Sequence, residues 1–160
     1  MNFDREGVLS RFQELREALI DASSIIYIYK AGFYNELKDS LKLYSLKEIV
    51  RETGFDDLKI NLIEALSKPL SNDQKFIACA LKKKIPVISE DRKILMYMKR
   101  ANIPYFNALM MLHFLLFKRK IDPENHTACL KRLMSTARYS PSVHTFGKGV
   151  YEAVVEYLEK

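Results

Sequence analysis

Hydrophobic residues along this chain follow two spacings, which predict two kinds of element. Apolar positions three or four residues apart predict an amphipathic helix over residues 5–18, through Val8, Leu9, Phe12, Leu15 and Leu19. Short continuous apolar runs, such as Pro86-Val87-Ile88, predict buried strands instead. Because strands and helices alternate along the chain, the pattern predicts an α/β fold. In that fold helices sandwich a parallel sheet, and extra helices lie at both ends of the chain.

The positions of the individual elements follow from the same patterns. Strands are expected near residues 19–21, 41–44, 86–89 and 104–106. Helices are expected over residues 22–29, 45–53, 71–83, 92–101 and 108–117. Residues 57–66 fit a strand or a helix equally well, and Ser23 or Ser24 is expected to cap the helix that begins at Ala22.

Two serine residues mark helix starts in a recognisable way. Ser45 has Glu48 three residues later, and Ser71 has Gln74 three residues later, so both pairs predict capping boxes. The first of these helices is expected to end near residue 53, where Gly54 can adopt the left-handed conformation that closes a helix.

Length and composition limit the possible architecture. At 160 residues and 48% hydrophobic, the chain can build one globular domain with a real core but not two. Its longest apolar run, residues 108–117, is about half of the ~20 residues that a membrane span needs. Cys79 and Cys129 are isolated thiols in apolar surroundings, which favours buried, reduced cysteines and a cytoplasmic protein without a membrane partner.

The net charge of +6 is unevenly distributed. Residues 1–64 carry a net charge of −3 and residues 65–160 a net charge of +9. Two basic segments account for much of the excess: Lys82, Lys83, Lys84, Arg92, Lys93, Lys99 and Arg100, then Lys118, Arg119, Lys120, Lys131, Arg132 and Arg138. Solvated helix faces would explain each run, but a basic surface around an acidic site would also attract a polyanion.

Several common catalytic and cofactor motifs are missing from the sequence. The five glycines form neither a GxGxxG fingerprint nor a P-loop, which argues against dinucleotide and nucleoside triphosphate enzymes. There is no CxxC pair and no nucleophile elbow. His113, His126 and His144 lack the spacing of a metal-ligand set, so packed or exposed structural roles are expected for them.

Four acidic residues stand where predicted strands and helices begin or end. Asp21 follows the first strand, Glu52 ends a helix, Asp73 opens another and Asp91 follows the strand at residues 86–89. Binding sites of open parallel sheets lie at the carboxyl ends of the strands, so these side chains are expected to converge there. Clustered carboxylates repel one another, and the pattern therefore predicts that divalent cations neutralise them.

Four segments, in this order, resemble the motifs of PIN domains, which are metal-dependent nucleases with a Rossmann-like sheet. Leu19-Ile20-Asp21-Ala22-Ser23-Ser24 resembles the opening motif, and residues 45–52 resemble the second, in which a helix carries a glutamate. Residues 70–73 followed by 78–80 are similar to the third, and residues 87–95 resemble the fourth, where a strand ends in a hydroxyl residue and an acid. The resemblance covers about residues 19–116, the motif-bearing core of a single PIN-like domain expected over residues 1–160. The N-terminal helix and the C-terminal helical extension expected at about 118–160 lie outside it.

The resemblance also implies an activity, that of a metal-dependent ribonuclease acting as an endonuclease. Asp21, Asp73 and Asp91 would bind Mg²⁺ or Mn²⁺, and Glu52 would bind the ion directly or through water. Supporting roles would fall to Ser23, Ser89 and Glu90. RNA is the implied substrate, and it is expected to contact Lys82, Lys83, Lys84, Arg92 and Lys93.

Some alternatives remain open from the sequence. Glu48 competes with Glu52 on one helix face but is explained by its capping box, and Glu90 competes with Asp91 for the same role. A PIN-like domain that binds RNA or a protein without cleaving is the second functional hypothesis. A phospho-acceptor receiver is the third, and it is disfavoured because no acid pair stands near the first strand.

Two protein partners are also expected. An open sheet edge and the apolar helix at residues 108–117 favour a homodimer. The resemblance adds an antitoxin-like protein, since PIN domains include the toxins of toxin–antitoxin pairs.

Overall fold

Five short strands form one sheet in which every neighbouring pair is parallel. The structure is a computed structural model, and it describes residues 4–64 and 70–160. The strands are β1 Glu17–Ile20, β2 Lys42–Leu46, β3 Asn61–Ile63, β4 Val87–Ile88 and β5 Tyr105–Phe106. Their order across the sheet is β3-β2-β1-β4-β5. The predicted α/β class with a parallel sheet is therefore confirmed.

The helices alternate with these strands along the chain. Those in the described residues are α1 Arg5–Glu14, α2 Ala22–Ala31, α3 Tyr34–Ser40, α4 Lys47–Thr53, α5 Asn72–Lys83, α6 Arg92–Arg100, α7 Ala108–Phe117, α8 Pro123–Thr136 and α9 Pro141–Leu158. None of these helices is both long enough and apolar enough to cross a membrane.

The chain divides into two compact units. The sheet unit comprises Arg16–Ile26 and Leu41–Ala108, and the helical unit comprises residues 4–15, 27–40 and 109–160. The single PIN-like domain expected from the sequence, with its core at 19–116 and its extension at 118–160, remains a prediction.

The centre of the sheet is apolar on both faces. Ala18, Leu19 and Ile20 of β1 are fully buried, as are both residues of β4. In the register of the β1–β4 pair, Leu19 faces Val87 and Ile20 faces Ile88, so both strands end level with each other. The residues that follow them therefore leave the sheet at the same carboxyl edge.

One cluster of buried side chains joins the strands of the sheet unit to its helices. It includes Leu19 and Val87 from the strands, Phe76 from α5, and Ile94 and Met98 from α6. Burying each side chain of this size contributes roughly 1.5–3 kcal/mol. This packing fixes the start of α5 and the start of α6 relative to the sheet, and both starts carry candidate site residues.

One of the two predicted capping boxes forms. The Ser71 hydroxyl accepts the backbone N–H of Gln74, and the Gln74 side chain accepts the backbone N–H of Ser71. The box at Ser45 was a wrong prediction, because Ser45 lies inside β2 and its buried hydroxyl donates to the Ile20 carbonyl at 2.8 Å. Leu46 is the N-cap of α4 and makes no side-chain capping bond.

The structure corrects one element boundary and settles one ambiguity of the sequence. Helix α1 ends at Glu14 rather than near residue 18, because residues 17–19 pair with β2 instead. The ambiguous stretch at 57–66 contains the edge strand β3. Gly54 closes α4 with a φ of 74°, as predicted.

The helical unit is held together by aromatic and charged contacts. The Phe12 ring packs edge-on against the Phe114 ring, with 5.6 Å between their centroids. Arg132 Nε donates to the carbonyl of Ala31, at the last residue of α2, over 2.9 Å. A cation at this place satisfies a carbonyl that the helix itself leaves without a partner, and it also interacts favourably with the helix dipole.

Two histidines are buried together in the helical unit. His113 of α7 and His126 of α8 are each 2% exposed, and His113 Nδ1 lies 3.0 Å from His126 Nε2. The Tyr151 ring stacks on His126, with 5.4 Å between centroids and 14° between planes. Burial lowers the pKa of His113 to about 3, with a further contribution from His126. Burial also lowers the pKa of His126 to about 4.

We expect acid to destabilise the protein through this histidine pair. An unfolded histidine has a pKa near 6.5, so below that pH the unfolded chain binds more protons than the folded one. The stability that the neutral pair provides is complete above pH ~6.5 and is lost as the pH falls toward about 4, by about 3 kcal/mol per histidine.

Urea unfolding across this pH range measures the effect. His126→Gln should flatten the pH dependence, and His144→Gln, at an exposed histidine, should leave it as in the wild type. The same slope in wild type and His126→Gln would contradict the prediction.

Candidate active site

Asp21 occupies the carboxyl end of the central strand. It follows β1 directly, its backbone N–H donates to the Ile88 carbonyl at 2.9 Å, and the residue is only 7% exposed. The chain folds this way because Leu19 and Ile20 are buried in the sheet and Ala22 begins α2 at once. A carboxylate is therefore held at the edge where parallel sheets bind ligands.

Two hydrogen bonds orient the Asp21 carboxylate. Oδ1 accepts the N–H of Ala22 at 2.8 Å, and Oδ2 accepts the hydroxyl of Ser89 at 3.2 Å. Ser89 is fully buried, and its Oγ accepts the N–H of Asp91 at 3.1 Å. Ser89 thus links the end of β1 to the residues that follow β4, and its supporting role in a metal site remains a prediction.

The ionised form of Asp21 is disfavoured. Burial raises the pKa of Asp21 to about 6, while the hydrogen bonds from Ala22 and Ser89 act in the opposite direction. The negative charges of Asp73 and Glu52 raise this pKa further. No lysine or arginine of the described residues is among the groups that shift it. Three of the four predicted acids therefore interact electrostatically at this edge of the sheet.

Glu52 and Asp73 are brought near each other by the ends of two helices. Glu52 lies near the end of α4, and its Oε1 accepts a hydrogen bond from the side chain of Asn72, the first residue of α5. Asp73 is the next residue of α5, in the first helical turn, and it is exposed. An acid in that turn is also stabilised by the helix dipole.

Asp91 has a structural role in the folded chain. It is the N-cap of α6, and its Oδ1 accepts the N–H of Lys93 at 2.8 Å and that of Ile94 at 3.4 Å. The other carboxylate oxygen, Oδ2, makes neither of these bonds. The bond from its own N–H to Ser89 is what connects Asp91 to Asp21.

Glu90 joins two other segments of the sheet unit. Its Oε2 accepts a hydrogen bond from the hydroxyl of Ser24 and another from the N–H of Ala108 at 3.0 Å. Ser24 is fully buried, whereas Ser23, the hydroxyl predicted to support the site, is exposed. The buried hydroxyl of this segment is thus one residue later than the sequence indicated.

The structure gives a reason to consider Glu48 as a site residue that the sequence did not give. It lies in the first turn of α4, two residues after the end of β2, and its Oε2 is buried without a hydrogen-bond partner. It is the single such side-chain atom among residues 4–64 and 70–160. The capping box that explained Glu48 does not form, so the reason for preferring Glu52 over Glu48 no longer holds.

The expected nucleic-acid residues lie on α5 and α6. Lys82, Lys83, Arg92 and Lys93 are exposed, the first two at the end of α5 and the others at the start of α6. Lys84 is the C-cap of α5, also exposed, with a left-handed backbone at φ 55°. Arg92 and Lys93 therefore stand at the start of α6, whereas Lys82 and Lys83 lie at the other end of α5 from Asp73, about 15 Å along the helix axis.

The fit of this site to a divalent cation can be judged from its donors. Carboxylate oxygens are the ligands that Mg²⁺ and Mn²⁺ prefer, and Asp21 supplies them at the end of β1, where the charges of Asp73 and Glu52 also act. Across the described parts of the chain, however, no three His, Cys, Asp or Glu side chains are placed to hold one ion together. The donor chemistry fits, and the distances do not form a ready-made ligand set.

Comparison with known proteins does not assign this chain to a family. No family model matches this sequence, and no curated protein is significantly similar to it. The resemblance to PIN domains therefore rests on the four motifs and on the sheet that carries them.

We expect Asp21→Asn to stabilise the protein in the absence of metal. A folded-state pKa of about 6 means that Asp21 lowers stability as the pH rises from about 4 through 6, by about 3 kcal/mol in all. Asparagine keeps the shape without the charge, so urea unfolding at pH 8 should show a gain of about 1–3 kcal/mol, and at pH ~3.5 almost none. Asp56→Asn, at an exposed acid of the same unit, is the matched control. Equal stability of Asp21→Asn and wild type at pH 8 would refute the buried, uncompensated charge.

Proposed function

We propose that this protein is a PIN-like, metal-dependent ribonuclease that hydrolyses phosphodiester bonds of RNA with Mg²⁺ or Mn²⁺. One observation carries the proposal. Asp21 is buried at the carboxyl end of the central strand, and its pKa is raised to about 6 by burial and by the charges of Asp73 and Glu52. A carboxylate in this position is unfavourable for stability, and a divalent cation is the partner that would compensate it.

The residues divide into those that would hold the ion and those that position them. Asp21, Asp73 and Asp91 would hold it, with Glu52 binding directly or through water, and Glu48 is a further donor of the same chemistry. Bound there, such an ion lowers the pKa of water and neutralises charge on the phosphate.

The protein's own contribution is positioning. Ser89 keeps one Asp21 oxygen fixed by its hydroxyl, and its Oγ also receives the N–H of Asp91, so two predicted ligands are oriented by one side chain. Glu90 fixes the segment after β4 against Ser24.

The positive charge of exposed side chains in the sheet unit supports RNA as the substrate. Lys82, Lys83, Lys84, Arg92 and Lys93 are exposed cations in the same unit as the acids. Phosphate neutralisation by such residues supplies affinity that does not depend on sequence. The acids would bind the cation, and Arg92 and Lys93, directly after Asp91, would bind phosphates next to it. Lys82, Lys83 and Lys84, at the far end of α5 from Asp73, would bind phosphates farther along the RNA strand.

Asp21→Asn should abolish cleavage while the fold survives. Removing one charge from the ligand set lowers metal occupancy and transition-state stabilisation together, so Mg²⁺- or Mn²⁺-dependent cleavage of labelled single-stranded RNA should fall at least ~100-fold. Calorimetry should show Mn²⁺ binding to the wild type and weaker or no binding to Asp21→Asn. Asp56→Asn should behave as wild type in both measurements.

Three results would count against this function. Equal cleavage by wild type and Asp21→Asn, or cleavage insensitive to chelator, would indicate a contaminating nuclease. Absence of Mn²⁺ binding by the wild type would remove the metal from the proposal.

The hydrogen bonds that two of the predicted metal ligands already make favour a second candidate function. Asp91 caps α6 through one oxygen, and one Glu52 oxygen accepts a hydrogen bond from Asn72, so both carboxylates already have a structural role in the folded chain. A PIN-like domain that binds RNA or a protein without cleaving would retain this arrangement. The antitoxin-like protein, the homodimer and the cytoplasmic location expected from the sequence stay predictions.

RNA binding should depend on salt through the basic residues of α5. For single strands, the slope of log K against log salt is about −0.7 per neutralised phosphate, so Lys82→Gln, Lys83→Gln and Lys84→Gln together should make the slope shallower by about 2. The same exchange at Lys118, Arg119 and Lys120 removes equal charge from the helical unit and serves as the control. Equal losses in both triple variants would show attraction by net charge alone, without a defined face.

A further inference from the structure

A cleft in the helical unit has apolar walls and one lysine at its rim. It lies between α7, α8 and α9 and has a volume of about 190 Å³. Leu109 of α7 forms one wall, and Leu130 and Met134 of α8 form the other. None of these residues belongs to the candidate active site, which lies in the sheet unit.

The close approach of α9 to α7 sets the floor of the cleft. Gly147 lies in the middle of α9, where glycine is normally unfavourable. A Cβ at this position would stand 2.4 Å from Leu109 Cδ2, so a larger residue would displace that side chain. Glycine at this position therefore leaves room for the Leu109 side chain beside the cleft.

The rim of the cleft carries the positive charge of Lys148. His144 lies one helical turn before it on α9 and can donate a hydrogen bond; both side chains are exposed, and Tyr151 follows on the same helix. No acidic side chain of the described residues lines the cleft. His113 lies behind it and adds no charge near neutral pH, because burial lowers its pKa to about 3. The cleft therefore combines an apolar interior with an attraction for anions.

We propose that this cleft binds a small aromatic carboxylate. The ring would pack against Leu109, Leu130 and Met134, and the carboxylate would meet Lys148 and His144 at the rim. A dry apolar cavity of about 150 Å³ accommodates benzene, so the larger volume found here suits one ring with a short acidic arm. This binding is separate from the proposed ribonuclease activity and does not rest on it.

Fluorine NMR with para-fluorophenylacetate tests the proposal on the full chain. Wild type should bind this probe saturably, with a Kd of order 1 mM for a ligand of this size. Leu130→Trp fills the cleft and should weaken binding by at least about tenfold. Met134→Phe reduces the same space from a second position, so the test remains decisive if Leu130→Trp fails to fold by circular dichroism.

The charge of the rim is tested separately. Lys148→Gln should weaken binding about two- to fivefold, the size expected of an exposed ion pair, and added salt should do the same. Lys131→Gln, at an exposed lysine of α8 outside the cleft, is the matched control and should bind as wild type. The neutral amide of the probe should bind more weakly than the acid.

Any of three outcomes would overturn the proposal. The first is the lack of saturable binding by the wild type. The second is binding that is unchanged in a folded Leu130→Trp or Met134→Phe variant, which would place the probe elsewhere. The third is equal affinity for the acid and its amide, since the rim would then play no part in recognition.

Discussion

The hydrogen bond between Ser89 and the buried carboxylate of Asp21 connects the end of the central strand to the end of its neighbour and to the start of α6. Asp21 ends the central strand, Ser89 ends its neighbour, and the same Ser89 oxygen receives the N–H of Asp91 before α6 begins. Both strands stop at the same level because Ile20 pairs with Ile88 in the register of the sheet. An acid placed at this point is shielded from water and close to two further carboxylates, so its chemistry is set by the sheet rather than by its own loop.

Sequence reasoning succeeded where one local interaction decides the structure. The capping box of Ser71 and Gln74 forms because both side chains are at the surface and nothing else competes for them. The same pattern failed at Ser45, whose hydroxyl is buried in β2 and is already used by the carbonyl of a neighbouring strand. The parallel sheet itself was predictable, because apolar runs bounded by helix signals leave few other arrangements.

The parts of the site that could not be predicted depend on contacts between distant residues. From the sequence, Glu52 was preferred to Glu48 as the site residue because Glu48 was expected to form a capping box with Ser45. The structure shows that no such box forms, because Ser45 is part of β2. Ser24 and Glu90 are 66 positions apart, and their bond has no signature in the sequence. His113 and His126 lie on different helices, 13 residues apart, which matches no spacing rule for paired histidines.

Burial acts on the acid and on the histidines through one physical effect with opposite pH consequences. It favours the neutral form of each, so Asp21 loses its proton only near pH 6 and the histidine pair gains protons only near pH 4 and below. Between about pH 4 and 6, lowering the pH therefore increases the stability of the folded protein through Asp21 and decreases it through the histidine pair. The two contributions to the free energy of unfolding partly offset each other. The histidine pair is suited to staying neutral at physiological pH. Of these three buried groups, it is Asp21 that must be charged for the proposed chemistry. A bound cation would lower the pKa of Asp21 and restore the stability that the metal-free protein loses at this position.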